Sequence, residues 1–248
     1  MIHIIVTGYN CAKYVRSCYY SLLKQSCQEF SAHFISDGSL DDTNNLMKSF
    51  SSDDQFSFVH YSENKGAAFR RWEALQSTAL QPDDIVCILG MDDELMPDAI
   101  KTIKTKYELN RNILMTYGNW IDQHGEGLPH DFELDFPDYI HENRGYRLTT
   151  YRATALNTFK KKLLSELTED DYKVDGKWTD ICTETNMVLS CLEMSGRNRI
   201  GIVKEKIYYY RKNLPKNTQL KYGQIFKNKI RDQIMSLPKK PLYEDITM

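Results

Sequence analysis

The stretch "VCILGMDD", residues 86–93, decides how this chain of 248 residues is read. Val86, Cys87, Ile88 and Leu89 form an unbroken apolar run, the mark of a strand covered on both faces. Two residues later the chain turns into adjacent carboxylates, Asp92 and Asp93. Strands buried on both faces belong to parallel sheets, and an open parallel sheet binds its ligands at the carboxyl ends of its strands. The two acids therefore stand where a ligand is expected.

Upstream, the same pattern recurs three times. "IHIIVTG" at 2–8, "FSAHFIS" at 30–36 and "FSFVHYS" at 56–62 are short and rich in β-branched or aromatic residues. Between them lie helical stretches. Val15, Cys18, Tyr19, Leu22 and Leu23 make an apolar stripe at helical spacing, "LDDTNNLMKSF" opens with acids suited to a first turn, and "GAAFRRWEALQSTAL" follows the third strand. This β-α-β-α-β-α-β alternation predicts an α/β fold with a mostly parallel central sheet flanked by helices. Beyond residue 110 the rhythm loosens. "NILMTYGNWID" reads as a strand, 125–145 as a long loop, "RATALNTFKKKLLSEL" as a helix, and Ile181 to Gly196 as a helix stopped by its glycine. "RIGIV" and "KIYYYR" read as strands, and a basic helix over about 219–235 closes the chain. The expected organisation is a single domain in two halves, 1–110 and 111–212, with a C-terminal helical extension at 213–248.

Composition narrows the function classes. The 32 Lys and Arg nearly balance 34 Asp and Glu, so nothing in the net charge calls for nucleic acid. Charge is nonetheless segregated. Gly118 to Asn143 holds seven acids and no Lys or Arg, whereas Lys204 to Lys240 holds eleven basic residues against Glu205 and Asp232. The basic part suits peripheral contact with an anionic membrane. Six cysteines without a C-x-x-C pair read as reduced thiols, and the N-terminus lacks a signal-peptide pattern, so a cytoplasmic, at most membrane-peripheral, protein is expected.

The four strand ends share a polar character. They offer Thr7, Tyr9 and Asn10; then Asp37 before Gly38; then Asn64, Lys65 and Gly66 ahead of Arg70 and Arg71; then Asp92 and Asp93. An aromatic face, a hydrogen-bonding carboxylate, cations and a carboxylate pair are what a metal-bound nucleoside diphosphate needs. In this order "TGYN", "SDGSLDDT", "NKG…RR" and "LGMDD" resemble the nucleotide-binding half of a family 2, GT-A (Rossmann-like) nucleotide-sugar glycosyltransferase. The resemblance implies that Tyr9 and Asp37 hold the base, with Thr7 and Asn10 nearby. It implies that Arg71 and Lys65 serve the ribose and diphosphate, that Asp92 contacts the donor, and that Asp93 with Asp92 binds Mn²⁺ or Mg²⁺. A carboxylate at Asp37 accepts from the imide N–H of uracil or thymine and cannot pair so with cytosine; a UDP-sugar is the favoured donor. Two positions depart from the family's pattern: Ser36 stands where a second acid is usual, and Gly90 where the metal motif has its first Asp.

Residues 177–211 resemble that family's acceptor side, where an acid opening a helix is the general base and a later strand pair ends in Tyr-Tyr-Arg. The match falls on Glu184, with Asp180 four residues earlier as the alternative, and Thr185 replaces the usual second acid. An inverting, metal-dependent transfer to a hydroxyl of a carbohydrate, glycolipid or glycoprotein acceptor is therefore implied. Rival readings are a catalytically silent sugar-nucleotide binder and a sugar nucleotidyltransferase. The second rival wants a glycine-rich loop that "TGYNCAKY" lacks.

Each residue also has a plain structural reading. Asp92 and Asp93 fit a helix cap ahead of Pro97, and Glu184 fits a first-turn helix acid. One helix cannot aim both Arg70 and Arg71 at a ligand, which puts one of them on solvated surface. The tyrosine run 208–210 reads as strand rather than binding residues, and His124, His130 and His141 as surface. Trp120 and Trp178 suit either sugar stacking or packing.

Overall fold

The structure is a computed structural model describing residues 1–50, 55–77, 80–129, 132–179, 181–182, 184–212 and 218–244. The four expected strands form as β1 (Ile2–Gly8), β2 (Phe30–Asp37), β3 (Phe56–Tyr61) and β4 (Ile85–Gly90). They pair in parallel in the order β3-β2-β1-β4, with Thr7 level with Ile35 on one side and Gly90 on the other. That register brings the four polar strand ends to one edge.

The connecting helices are α1 (Val15–Leu23), α2 (Thr43–Lys48) and α3 (Ala67–Ser77). Strand alternation divides the core between the two faces. Ile4 and Val6 pack with Val15, Cys18 and Leu22, while Ile5 and Ile88 pack with Ala74 and Leu75. Fully burying each of the Val, Leu and Ile side chains among them stabilises by about 1.5–3 kcal/mol. Helices on both faces therefore hold the ligand edge rigidly.

Among the described residues the main sheet has eight strands, in the order β3-β2-β1-β4-β7-β6-β10-β5. Its second half comprises β5 (Glu94–Leu95), β6 (Met115–Asp122), β7 (Thr158–Lys160) and β10 (Ile200–Tyr210). β8 (Lys173–Val174) and β9 (Lys177–Trp178) form a separate hairpin. The remaining helices are α4 (Ala99–Leu109), α5 (Asp138–Asn143), α6 (Lys161–Leu164), α7 (Thr185–Ser195) and α8 (Thr218–Met235).

Several local expectations change here. Residues 152–167 are not one helix: Thr158–Lys160 enter the sheet between β4 and β6, and only Lys161–Leu164 are helical. The supposed loop 125–145 contains α5. The two C-terminal strands are one, β10, with irregular register between Ile202 and Tyr208. α8 is kinked at Gly223, where φ is 72°. All six cysteines are free, and among the described residues no helix is long and apolar enough to cross a membrane.

Candidate active site

Asp37 is the most heavily bonded side chain at the edge. It is 3% exposed and accepts from the Lys65 N–H (3.0 Å), the Gly66 N–H (2.8 Å) and Arg70 Nε (2.6 Å). The carboxylate thus satisfies amides just ahead of α3, where unpaired N–H groups favour negative charge. Gly38, at φ 68°, makes this approach feasible: a Cβ there would stand 2.4 Å from the Asn64 nitrogen. Arg70 lies over the Tyr61 ring at 3.5 Å and also bonds Glu73. A carboxylate has about four acceptor positions, so Asp37 keeps capacity for one further donor.

Neither arginine is solvated surface, which corrects the expectation from helical geometry. Arg70 is 2% exposed and Arg71 6%. Arg70 turns to Asp37; Arg71 turns the other way, donating from Nε to Thr7 Oγ1 (3.2 Å) and pairing with Glu184 (2.7 Å). Two neighbouring side chains thereby join three strand ends to the second half of the fold. No spacing in the sequence reveals the Asp37–Arg70 contact, because the partners are brought together only by sheet order.

Around them, Tyr9 is 43% exposed just beyond the end of β1. Asn10, at φ 54°, accepts from the Leu40 and Asp41 N–H groups and donates its own N–H to Ser39. Its side chain ties the loop after β1 to the loop after β2. Buried Ser36, where a second acid is usual, donates to Ser39 in the same loop. The Lys65 ammonium lies over the Phe69 ring, half exposed.

Glu184 occupies the N-cap position of α7 yet makes no side-chain capping bond; its carboxylate goes to Arg71 instead. It also faces two phenols, Tyr151 and Tyr208. Burial first, and its negative charge among further causes, raise the pKa of both. Asp180 and His130 lie outside the described residues.

At the end of β4, Asp92 and Asp93 turn back over Gly90. A Cβ on Gly90 would sit 2.8 Å from Asp92 Oδ1 and 3.2 Å from Asp93 Oδ2, so the glycine leaves the space in which the two carboxylates converge. Burial raises the pKa of both acids, and for Asp93 the Asp92 charge adds to it. Arg71 and Arg211 lower that of Asp92 in part. Two like charges brought together out of water, with oxygen donors only, fit a hard divalent cation. A third acidic or histidine ligand does not join them among the described residues.

The tyrosine run is indeed strand, but Tyr208 does more than pack: its hydroxyl donates to Asp93 Oδ2 at 2.6 Å. The Arg211 N–H donates to Asp93 Oδ1 at 2.8 Å, and the Arg211 side chain pairs with Glu94. Trp178 packs against Phe69 and Trp72, and Trp120 against Tyr210. His141 is buried, bonded to Tyr146 and Asp135, not a surface residue.

The model of glycosyl transferase family 2 matches residues 3–168. A teichoic acid poly(glycerol phosphate) polymerase of Staphylococcus epidermidis is 33% identical over 106 residues, 42% of this chain and 14% of the relative. The putative teichuronic acid biosynthesis glycosyltransferase TuaG of Bacillus subtilis is 23% identical over 141 residues, 56% of this chain and 54% of the relative. The chain thus matches at most about half the length of these relatives. Among solved structures, S. aureus TarS 1–349 in complex with UDP-GlcNAc superposes with a TM-score of 0.67 at 17% identity, covering 92% of this chain and 64% of that one. The mannosyltransferase PcManGT of Pyrobaculum calidifontis, in complex with GDP-Man and Mn²⁺, gives 0.65 at 15% identity, covering 97% and 65%.

Proposed function

Because the chain belongs to glycosyl transferase family 2, we propose that it moves a sugar, with inversion, from a UDP-sugar donor to a hydroxyl of a carbohydrate, glycolipid or glycoprotein acceptor. The observation that carries this reading is the convergence of Thr7, Asp37, Arg71, Asp92 and Asp93 on one sheet edge, with Glu184 reaching Arg71 from the second half. Tyr9 offers a face for the base, and the remaining acceptor position of Asp37 suits the imide N–H of uracil. Arg71 serves the diphosphate, and Lys65 is the second candidate for it. Asp92 and Asp93 would hold Mn²⁺ or Mg²⁺, which when bound offsets the charge that grows on the leaving diphosphate.

Glu184 then acts as the base that takes the acceptor proton. While the donor is away its carboxylate is engaged by Arg71 rather than by an acceptor. An arriving diphosphate gives Arg71 a second anion and releases Glu184 toward the acceptor. Asp180 is the alternative base. Donor hydrolysis and transfer measured with Mn²⁺ test the assignment. Glu184→Gln should lower turnover by about 10²–10⁴-fold with donor binding retained, whereas full activity in that variant moves the role to Asp180→Asn.

The Arg71–Glu184 pair also favours a second reading, a sugar-nucleotide binder without turnover. Tight UDP-sugar binding together with no hydrolysis or transfer would decide for it.

The membrane is the proposed site of the acceptor. On α8, Ile225 and Phe226 are exposed close to the exposed basic residues Lys229 and Arg231. Binding to vesicles containing anionic lipid should be measurable at low salt and lost at high salt. Equal binding to neutral vesicles would contradict an electrostatic attachment.

A further inference from the structure

We propose that Tyr208 and Arg211 are positioning residues that set the Asp92–Asp93 pair for the metal-bound donor. The inference rests on the proposed use of that pair. It starts from the loop itself, which leaves β4 at Gly90 and is strapped to another strand within five residues. Leu95 pairs with Tyr208, Glu94 pairs with Tyr209, and the Met96 N–H donates to the Ile207 carbonyl at 2.9 Å. The acids thus lie between the end of the first half's sheet and the end of β10.

Both oxygens of Asp93 are fixed from the end of β10 and the residue that follows it. Oδ2 accepts from the Tyr208 hydroxyl and Oδ1 from the Arg211 N–H, one on each side, so the carboxylate cannot rotate without losing a bond. Tyr208 is 5% exposed, and Asp93 is the partner of its hydroxyl in the structure. A buried phenol of this kind is costly unless its donor is used.

Asp92 is held differently. The Arg211 guanidinium donates to its backbone carbonyl (2.8 Å) and to Ser17 Oγ (3.1 Å), pairs with Glu94, and lies between the Tyr14 and Tyr209 rings at 5.4 and 5.3 Å. The Asp92 side chain feels the charges of Arg71 and Arg211, but neither the Tyr208 hydroxyl nor the Arg211 N–H that anchor Asp93 bonds it. One carboxylate is therefore anchored by its oxygens and the other is aimed by its backbone, which leaves Asp92 the more accessible to a ligand. Each oxygen of Asp93 still has a lone pair beyond the bond it accepts.

The test uses the whole chain with UDP and Mn²⁺, following free Mn²⁺ by its paramagnetic resonance and uridine binding separately by calorimetry. Tyr208→Phe should weaken UDP-dependent Mn²⁺ binding about tenfold, the weight of one hydrogen bond to a charged group, and leave metal-free uridine binding unchanged. Raised Mn²⁺ should restore its turnover, as it should not in Asp92→Asn. Arg211→Lys, which keeps the charge but loses the fork, should behave similarly. Tyr107→Phe is the control: it also removes a buried hydroxyl bond, to Thr158, and should cost stability alone. Wild-type Mn²⁺ affinity in folded Tyr208→Phe and Arg211→Lys would overturn the inference while leaving the donor assignment standing. Absence of UDP-dependent Mn²⁺ binding in the unmodified chain would overturn both.

Discussion

A buried carboxylate with three donors, as Asp37 has, is committed to one orientation before any ligand arrives. Removing its charge leaves Arg70 buried with Glu73 as its one counter-ion among the described residues. Asp37→Asn should therefore destabilise the fold by about 3 kcal/mol and weaken UDP binding as well; denaturant midpoints and calorimetry read the two effects separately. Gly90 makes a contrasting case. A side chain there meets the movable end of Asp92 and, less closely, the anchored carboxylate of Asp93 rather than backbone, so Gly90→Ala should change the melting temperature little and raise the Mn²⁺ requirement clearly. The glycine looked like a gap in the metal motif when only spacing was considered. In three dimensions it is the space into which the two carboxylates fold, and that is a fact of side-chain direction that residue spacing does not encode.

At the scale of elements, the first four strands and their helices were legible because each announces itself locally, by an apolar run or a stripe at helical period. β5 and β7 were not. Two or three residues carry no period, and Thr158–Lys160 form a strand only because β4 and β6 offer edges on either side. The same holds for Tyr208, whose alternation predicts a strand but not which carboxylate its hydroxyl meets. Helix α7 is held by a buried network equally absent from sequence pattern: Arg147 forks onto Glu193 and donates to Asn186, Ser190 and the Ile234 carbonyl, tying α7 to α8. Glu193 is 1% exposed, so Arg147→Ala would strand its charge. A loss of about 3–5 kcal/mol in unfolding free energy is expected, and Arg147→Met combined with Glu193→Leu should recover much of it.

For the molecule as a whole, the carboxylate pair links metal, proton and stability. Burial raises the pKa of Asp92 and Asp93, so the metal-free folded protein keeps proton that the unfolded chain has already released. That contribution to stability is fully present below the ordinary carboxylate range and is lost as pH rises through the raised folded pKa. A bound cation displaces the proton instead, so Mn²⁺ affinity should rise with pH, and calorimetry in buffers of different ionisation heat should register net proton release. Affinity independent of pH would mean that the pair is already ionised.

The most direct measurement is thermal unfolding of the whole chain with a panel of UDP-, GDP- and dTDP-sugars, with and without Mn²⁺. A ligand that binds only the folded state at about 100 times its dissociation constant stabilises by about 2.7 kcal/mol, well within detection. A UDP-sugar should raise the melting temperature in the presence of Mn²⁺, with the increment lost in Asp92→Asn. No shift with any donor, with or without the metal, would contradict a nucleotide-sugar site at the β1–β4 edge.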